Sequence, residues 1–86
     1  MAKCFSVSVV TAEGTVLEGR AEYAHLETEE GSVGILANHA PMLCALCKGT
    51  AGFRMEDGTE KTLRHSSGVA NVRDNRVTIL ADRAEL

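Results

Sequence analysis

Eighty-six residues, 44% hydrophobic and 24% charged with eight glycines and one proline, bound a single domain and exclude a disordered, collagen-like or low-complexity chain. A net charge of -3 and a pI near 5.5 give no field suited to nucleic acid or an anionic membrane surface. No apolar stretch approaches the roughly 20 residues that span a bilayer, and Met1 does not open a signal-type apolar run, so the chain reads as soluble, unexported and not inserted into a membrane.

With no Trp, one Tyr and two Phe, the core has to be built from Val, Leu, Ile and Ala, side chains suited to close sheet packing. In chain order, Phe5, Val7 and Val9 share one face of a strand that ends at the turn Thr11-Ala12-Glu13-Gly14. Val16 to Gly19 reads as a second short strand and Ala21 to Leu26 as a third, each closed by Gly or a polar cluster. Glu27-Thr28-Glu29-Glu30 is the acidic end of a stretch in which six glutamates face only Lys3 and Arg20, and it reads as a solvated loop or a polar contact surface. Gly31 to Leu36 follows, then Ala37-Asn38-His39-Ala40-Pro41 interrupts the pattern.

Met42 to Cys47 resumes it. Phe53 to Glu56 and Lys61 to His65 flank Asp57-Gly58-Thr59, a strong hairpin signal. Val69 to Val72 and Val77 to Leu80 are joined by Arg73-Asp74-Asn75-Arg76, with Asp and Asn as turn formers. No segment of ten or more residues carries a 3.6-residue apolar stripe, and Ala81 to Leu86, the one candidate start of a helix, is too short to hold one in water, so the tail is expected to fray. Nine or ten short strands in one small domain imply an all-β sandwich or barrel.

Chemistry is sparse. The sequence holds no Gly-x-Ser-x-Gly elbow, no phosphate-binding Gly-x-x-x-x-Gly-Lys-Ser/Thr loop, no His-Glu-x-x-His and no Gly-x-Gly-x-x-Gly, so no enzyme is expected. His25 and His65 read as ordinary surface or half-buried residues, and His39 as a loop-fixing or contact residue. Cys4, Cys44 and Cys47 are an odd number and read as reduced thiols. Cys44-Ala-Leu-Cys47 has the spacing of a zinc or redox pair, but residues three apart on a strand point to opposite faces, which argues against a shared metal. Scattered arginines and scarce aromatics argue against nucleic acid. The residues by themselves lead to a small β-domain that binds another protein, with a free-standing adaptor and a Cys44–Cys47 thiol or zinc site as the competing readings.

Gly31-Ser-Val-Gly34-Ile-Leu-Ala-Asn-His39-Ala-Pro41-Met-Leu43 closely resembles the signature Gly-x-x-Gly-Ile-Leu-Pro-x-His-Ala-Pro-Leu-Leu of the epsilon subunit of F-type ATP synthases. Three further blocks agree in order and spacing: Val9 to Glu13 with Val16-Leu17-x-Gly19, Ser66-Ser-Gly68-Val69, and Asn75-x-Val-Thr-Ile-Leu-Ala-Asp82. Together they run from about residue 5 to 82. The resemblance implies a ten-stranded β-sandwich of two sheets acting as a non-catalytic central-stalk subunit, which couples proton-driven rotation to ATP synthesis. It implies binding to the gamma subunit around Thr11, His39, Met42, Cys44 and Ser66, and to the polar loops of the c-ring through Glu29, Glu30, Gly31 and Ser32 with His39 nearby. The location it implies is the cytoplasmic face of the bacterial inner membrane.

Two departures are visible. Ser32 replaces an acid common in that family, so charge at the ring contact would come from Glu29 or Glu30, and Ala37 replaces the usual proline, which leaves that loop freer in the unfolded chain. The sequence also stops at Leu86, before the two-helix hairpin that follows in most members, so hairpin-type inhibition and an ATP site are not expected of it; no metal and no cofactor are expected either.

Overall fold

The alternation of Phe5, Val7 and Val9 with Ser6, Ser8 and Val10 becomes one buried and one outward face of a strand, and the same parity governs the rest of the chain. The computed structural model describes residues 3–86. They form nine strands and no helix: β1 (Phe5–Thr11), β2 (Gly14–Thr28), β3 (Gly31–Ile35), β4 (Met42–Leu46), β5 (Gly49–Met55), β6 (Glu60–His65), β7 (Gly68–Arg73), β8 (Arg76–Ala81) and β9 (Ala84–Glu85).

β2 organises them. Its first half pairs antiparallel with β1, and its second half pairs with β3 on one edge and β5 on the other. Ala21 stands opposite both Phe5 and Met55, and the register to β5 shifts between Ala21 and Tyr23, so a bulge turns the strand from one layer into the other. Fully extended, fifteen residues would reach roughly 46 Å end to end, whereas the longest dimension of the molecule is 35 Å. One layer is therefore β4-β7-β8-β1 with the first half of β2, and the other is β3, the second half of β2, β5, β6 and β9. β1 and β8 run parallel, and every other pairing is antiparallel.

The sequence reading of Val16–Gly19 and Ala21–Leu26 as separate strands is thus corrected: Gly19 looks like a strand end but, with Arg20, sits inside one bent strand. Counted once in each layer, β2 gives the ten strand positions of a two-layer sandwich with nine strands of backbone. The expected fraying of the tail is also corrected. β9 pairs with β6 at Arg64 and His65, Ser66 N–H donates to Arg83 O at 3.0 Å, and Arg83 N–H donates to Ser66 Oγ at 3.1 Å.

The core lies between the layers. Phe5, Val7, Val9, Val77, Ile79, Ala70, Val72 and Leu46 come from one side and Ala24, Leu26, Ile35, Ala51, Phe53 and Leu63 from the other. His65 joins them on the inward face of β6, which corrects its reading as a surface or half-buried residue. Its Nδ1 lies 2.8 Å from Ser66 O, and its buried Nε2 has no hydrogen-bond partner among the described residues.

Two corners depend on special backbone. Asp74 and Asn75 both have positive φ, 52° and 59°, the pattern of a two-residue type I′ turn that sets Arg73 opposite Arg76. Asn75 is also a tie point: its Oδ1 accepts from Asn38 N–H at 2.8 Å, its Nδ2 donates to Cys4 O at 2.8 Å, and its carbonyl accepts from Ser6 N–H at 3.1 Å. Gly68 meets a steric limit instead. A Cβ there would collide with the carbonyl oxygen of Leu80 and lie 3.0 Å from the Cα of Ala81.

Asn75→Ala removes two side-chain hydrogen bonds, each worth about 1 kcal/mol, and replaces a residue that tolerates left-handed backbone with one that does not, at about 1 kcal/mol more. Thermal unfolding followed by circular dichroism is expected to show a midpoint roughly 10 °C or more below the parent chain, with Asn75→Gly between the two. A midpoint unchanged in Asn75→Ala would show that Asn75 does not hold this end together.

Candidate functional site

The surface with the most pronounced unexplained character is the outer face of the β4-β7-β8-β1 layer. The pairing registers align its outward side chains in three rows across the strands. Ser6, Arg76 and Arg73 form the row at the β7–β8 turn; Ser8, Thr78, Asn71 and Leu43 form the next; Val10, Leu80, Val69 and Ala45 form the third. Rows are roughly 7 Å apart, two residues along a strand. The face therefore grades from cationic, through a neutral row that is polar except for Leu43, to apolar.

Its apolar part is exposed: Leu43 at 72%, Leu80 at 53% and Val69 at 42%. Side chains of this kind gathered on one sheet face and bordered by polar groups are the signature of a surface that meets another protein. The signal was present in the sequence as apolar residues out of phase with the alternation, Leu43 between Met42 and Cys44, and Leu80 beside Ile79.

The strand β4 shows what phase decides. Met42 and Cys44 share parity with the buried Leu46 and pack against the core, while Leu43 and Ala45 are the residues turned outward. A one-residue change of phase moves every side chain to the opposite face. Burial, with a smaller contribution from the nearby Glu30 carboxylate, pushes the Cys44 thiol up from its ordinary pKa. Cys47 lies past the end of the strand, the three cysteines are unbridged, and no group of three or more His, Cys, Asp or Glu among the described residues is arranged to hold a metal ion.

At the end of the face nearest the third row stands the β2–β3 hairpin, which carries Glu29, Glu30, Gly31 and Ser32. Thr28 Oγ1 accepts from Glu30 N–H at 3.1 Å and donates to Gly31 O at 2.7 Å, while Gly31 takes a φ of 122° that a side chain would resist. Ser32 Oγ donates to Glu27 Oε2 at 2.8 Å, and Glu29 N–H donates to Ala45 O at 3.3 Å. Ala45 therefore holds the hairpin with its carbonyl while its side chain lies in the apolar row. No ion pair among the described residues engages Glu29 or Glu30.

The β1–β2 hairpin repeats the device. Thr11 Oγ1 accepts from Glu13 N–H at 3.1 Å and reaches Gly14 O at 3.4 Å, with Gly14 at a φ of 124°. Thr-x-Glu-Gly is thus used twice, at 11–14 and 28–31.

The structure divides the remaining candidates. Thr11 pairs with Gly14 just past the third row, and Ser66 stands near the same end on the β6–β7 corner. Ser66 also lines an open cleft of about 950 Å³ with Glu13, Lys48, Arg64, Asp82 and Arg83, a mixed-charge lining unlike a small-molecule pocket. His39 lies at the far end, in the loop whose neighbour Asn38 is bound to Asn75. Its ring Nδ1 is 2.7 Å from Ala40 O, a bond that fixes the loop. β3, roughly 13 Å long, separates His39 from Glu29–Ser32, so His39 is not grouped with that hairpin.

Residues 4–86 match the family model described as the beta-sandwich domain of the ATP synthase Delta/Epsilon chain. The chain is 42% identical over 85 residues to the ATP synthase epsilon chain of Desulfitobacterium hafniense, covering 99% of this chain and 64% of that one. It is 44% identical over 79 residues to the epsilon chain of Shouchella clausii, covering 92% and 59%. It thus spans less than two-thirds of the length of these curated relatives. Among solved structures it superposes at a TM-score of 0.87 and 24% identity on a chain of the Euglena gracilis mitochondrial ATP synthase, OSCP/F1/c-ring assembly, covering 98% of this chain and 53% of that one. A chain of the Tetrahymena thermophila mitochondrial ATP synthase central stalk and c-ring gives 0.77 at 20% identity, covering 92% and 63%. At these identities the structural likeness speaks for the fold.

With its thiol turned inward and its pKa raised, Cys44 of the folded chain is expected to alkylate with iodoacetamide at pH 8 several-fold more slowly than free cysteine. Glu30→Gln should speed it only slightly, because burial is the larger cause. Peptide mass mapping of a time course reads both, and a rate equal to that of free cysteine would contradict the inward placement.

Proposed function

We propose that this chain, which belongs to the Delta/Epsilon beta-sandwich family of ATP synthase, is a non-catalytic subunit of the enzyme's central stalk. In this reading it binds the gamma subunit and meets the c-ring, so that ion-driven rotation of the ring is passed on to ATP synthesis. The observation that carries the reading is the family match along residues 4–86, joined to relatives named ATP synthase epsilon chain at 40% identity or better.

The geometry supports an assignment of the two contacts. The graded outer face of β4-β7-β8-β1 receives gamma, with Leu43, Val69 and Leu80 as its apolar part. Thr11 and Ser66 flank its apolar end, while His39 and Met42 stand at its other end. Cys44, turned inward, supports the face from behind. The β2–β3 hairpin, with Glu29, Glu30, Gly31 and Ser32, meets the polar loops of the c-ring, and its free carboxylates supply the charge that Ser32 does not.

A subunit placed between two moving parts has to hold its shape. Side chains interdigitated between two layers deform little under load, and hydrogen-bonded turns fix the hairpin that bears on the ring. No side-chain constellation for catalysis enters this role, and proton movement belongs to the whole complex. On this reading the chain lies peripherally on the membrane-associated synthase, at the cytoplasmic face of a bacterial inner membrane.

Native mass spectrometry of the chain mixed with the gamma subunit from the same genome tests the reading, and a one-to-one complex is expected. Leu43→Asp changes an exposed side chain and should leave the fold intact while weakening that complex about tenfold or more. A folded parent chain that forms no complex with gamma would instead favour a free-standing adaptor.

A further inference from the structure

The cationic row at the β7–β8 turn has no function in the fold. Arg73 and Arg76 stand directly opposite each other on the outward face, and like charges so placed destabilise a sheet. Their surroundings relieve this only in part. Arg73 Nε is 3.3 Å from its chain neighbour Asp74, both side chains largely exposed, and Arg76 has no ion pair among the described residues. In the same row Arg20, across Ser6, is already engaged: it lies 3.7 Å from Glu56 and donates to Cys4 O at 3.4 Å. The two turn arginines form, with Asn71, Asp74 and Thr78, a shallow depression of about 410 Å³. Asn71 and Thr78 belong to the middle row, so the depression ends one row short of the apolar row of Val69 and Leu80.

A face that is apolar at one end and carries at the other two guanidinium groups, of which only Arg73 has a carboxylate beside it, is complementary to a protein surface arranged the opposite way. Resting on the assignment of this face to gamma, we propose that Arg73 and Arg76 are an electrostatic clamp for a carboxylate of the gamma subunit. That Asp or Glu sits two rows, or roughly 13 Å, from the apolar segment of gamma that covers Val69 and Leu80. The planar guanidinium fork suits a carboxylate in two-point contact. Asp74, which partly occupies Arg73 in the free chain, is the group the incoming carboxylate displaces. Exposed charges at the border of an interface act mainly by steering encounter and fixing orientation, so the clamp sets how fast and in which register gamma arrives.

Surface plasmon resonance of the full chain against immobilised gamma, from 25 to 500 mM NaCl, tests this, with unfolding midpoints measured for each variant. The parent chain is expected to associate about tenfold faster at the lowest salt than at the highest. Arg76→Glu should lose most of that acceleration and Arg76→Gln about half, with dissociation changed less, while Asp74→Asn should steepen the salt dependence. Arg76→Gln adds no repulsion toward Asp74, so the test holds even where Arg76→Glu unfolds. If the parent binds gamma and the folded arginine variants keep its association rate and salt dependence, the clamp is overturned while the assignment of the face to gamma stands. If the folded parent does not bind gamma at all, both are overturned.

Discussion

The passage of β2 from one layer to the other is the constraint on which everything else rests. Ala21 is fully buried at the crossing and pairs with strands of both layers, so it has room for little more than a methyl group. Because one uninterrupted strand belongs to both layers, their relative placement is set by covalent geometry and a bulge before any side chain interdigitates. Side-chain packing then selects among small adjustments. Two phenylalanines and a set of Val, Leu, Ile and Ala are sufficient for the core because the backbone has already brought the layers into register.

That same crossing explains what was legible in the sequence. Alternation revealed strands, and Asp-Gly and Asp-Asn marked hairpins, because those signals lie within a few residues of each other. The continuity of β2 was hidden: Gly19 resembles a strand end, and only the pairing of β1 and β5 with adjacent stretches of β2 shows that the chain continues as one bent strand. Met42-Leu43-Cys44-Ala45-Leu46 is apolar at every position, so no alternation marks its inward face, and the phase stays open until Leu46 is seen inside. His65 inside the core, and β9 beside β6, likewise depend on partners that alternation does not name. The resemblance in the central block located the β3–β4 region as important, yet the side chains of β4 on the surface are one position away from those singled out.

The two candidate contact regions are mechanically one. Ala45 contributes its carbonyl to the β2–β3 hairpin and its methyl to the apolar row, and Thr28 pairs with the adjacent Leu46. A displacement of the hairpin is therefore felt at once by an edge strand of the graded face, with no loop between them to absorb it. Using the same Thr-x-Glu-Gly turn at both ends of β2 adds stiffness where hairpins are ordinarily loose, since the threonine hydroxyl replaces a water that would exchange freely.

The parallel pairing of β1 with β8 governs how the chain is made. Phe5-Ser-Val-Ser-Val-Val is covered on one edge by β2, which follows it directly, but the strand that covers the other edge is made only after six intervening strands. Until β8 emerges the nascent chain therefore carries an apolar strand with a bare edge, the configuration most open to pairing with a neighbouring copy. Closure joins residues about seventy positions apart in sequence, and topologies dominated by such distant contacts fold slowly. The feature that seals the finished sandwich is the one that keeps it unfinished longest.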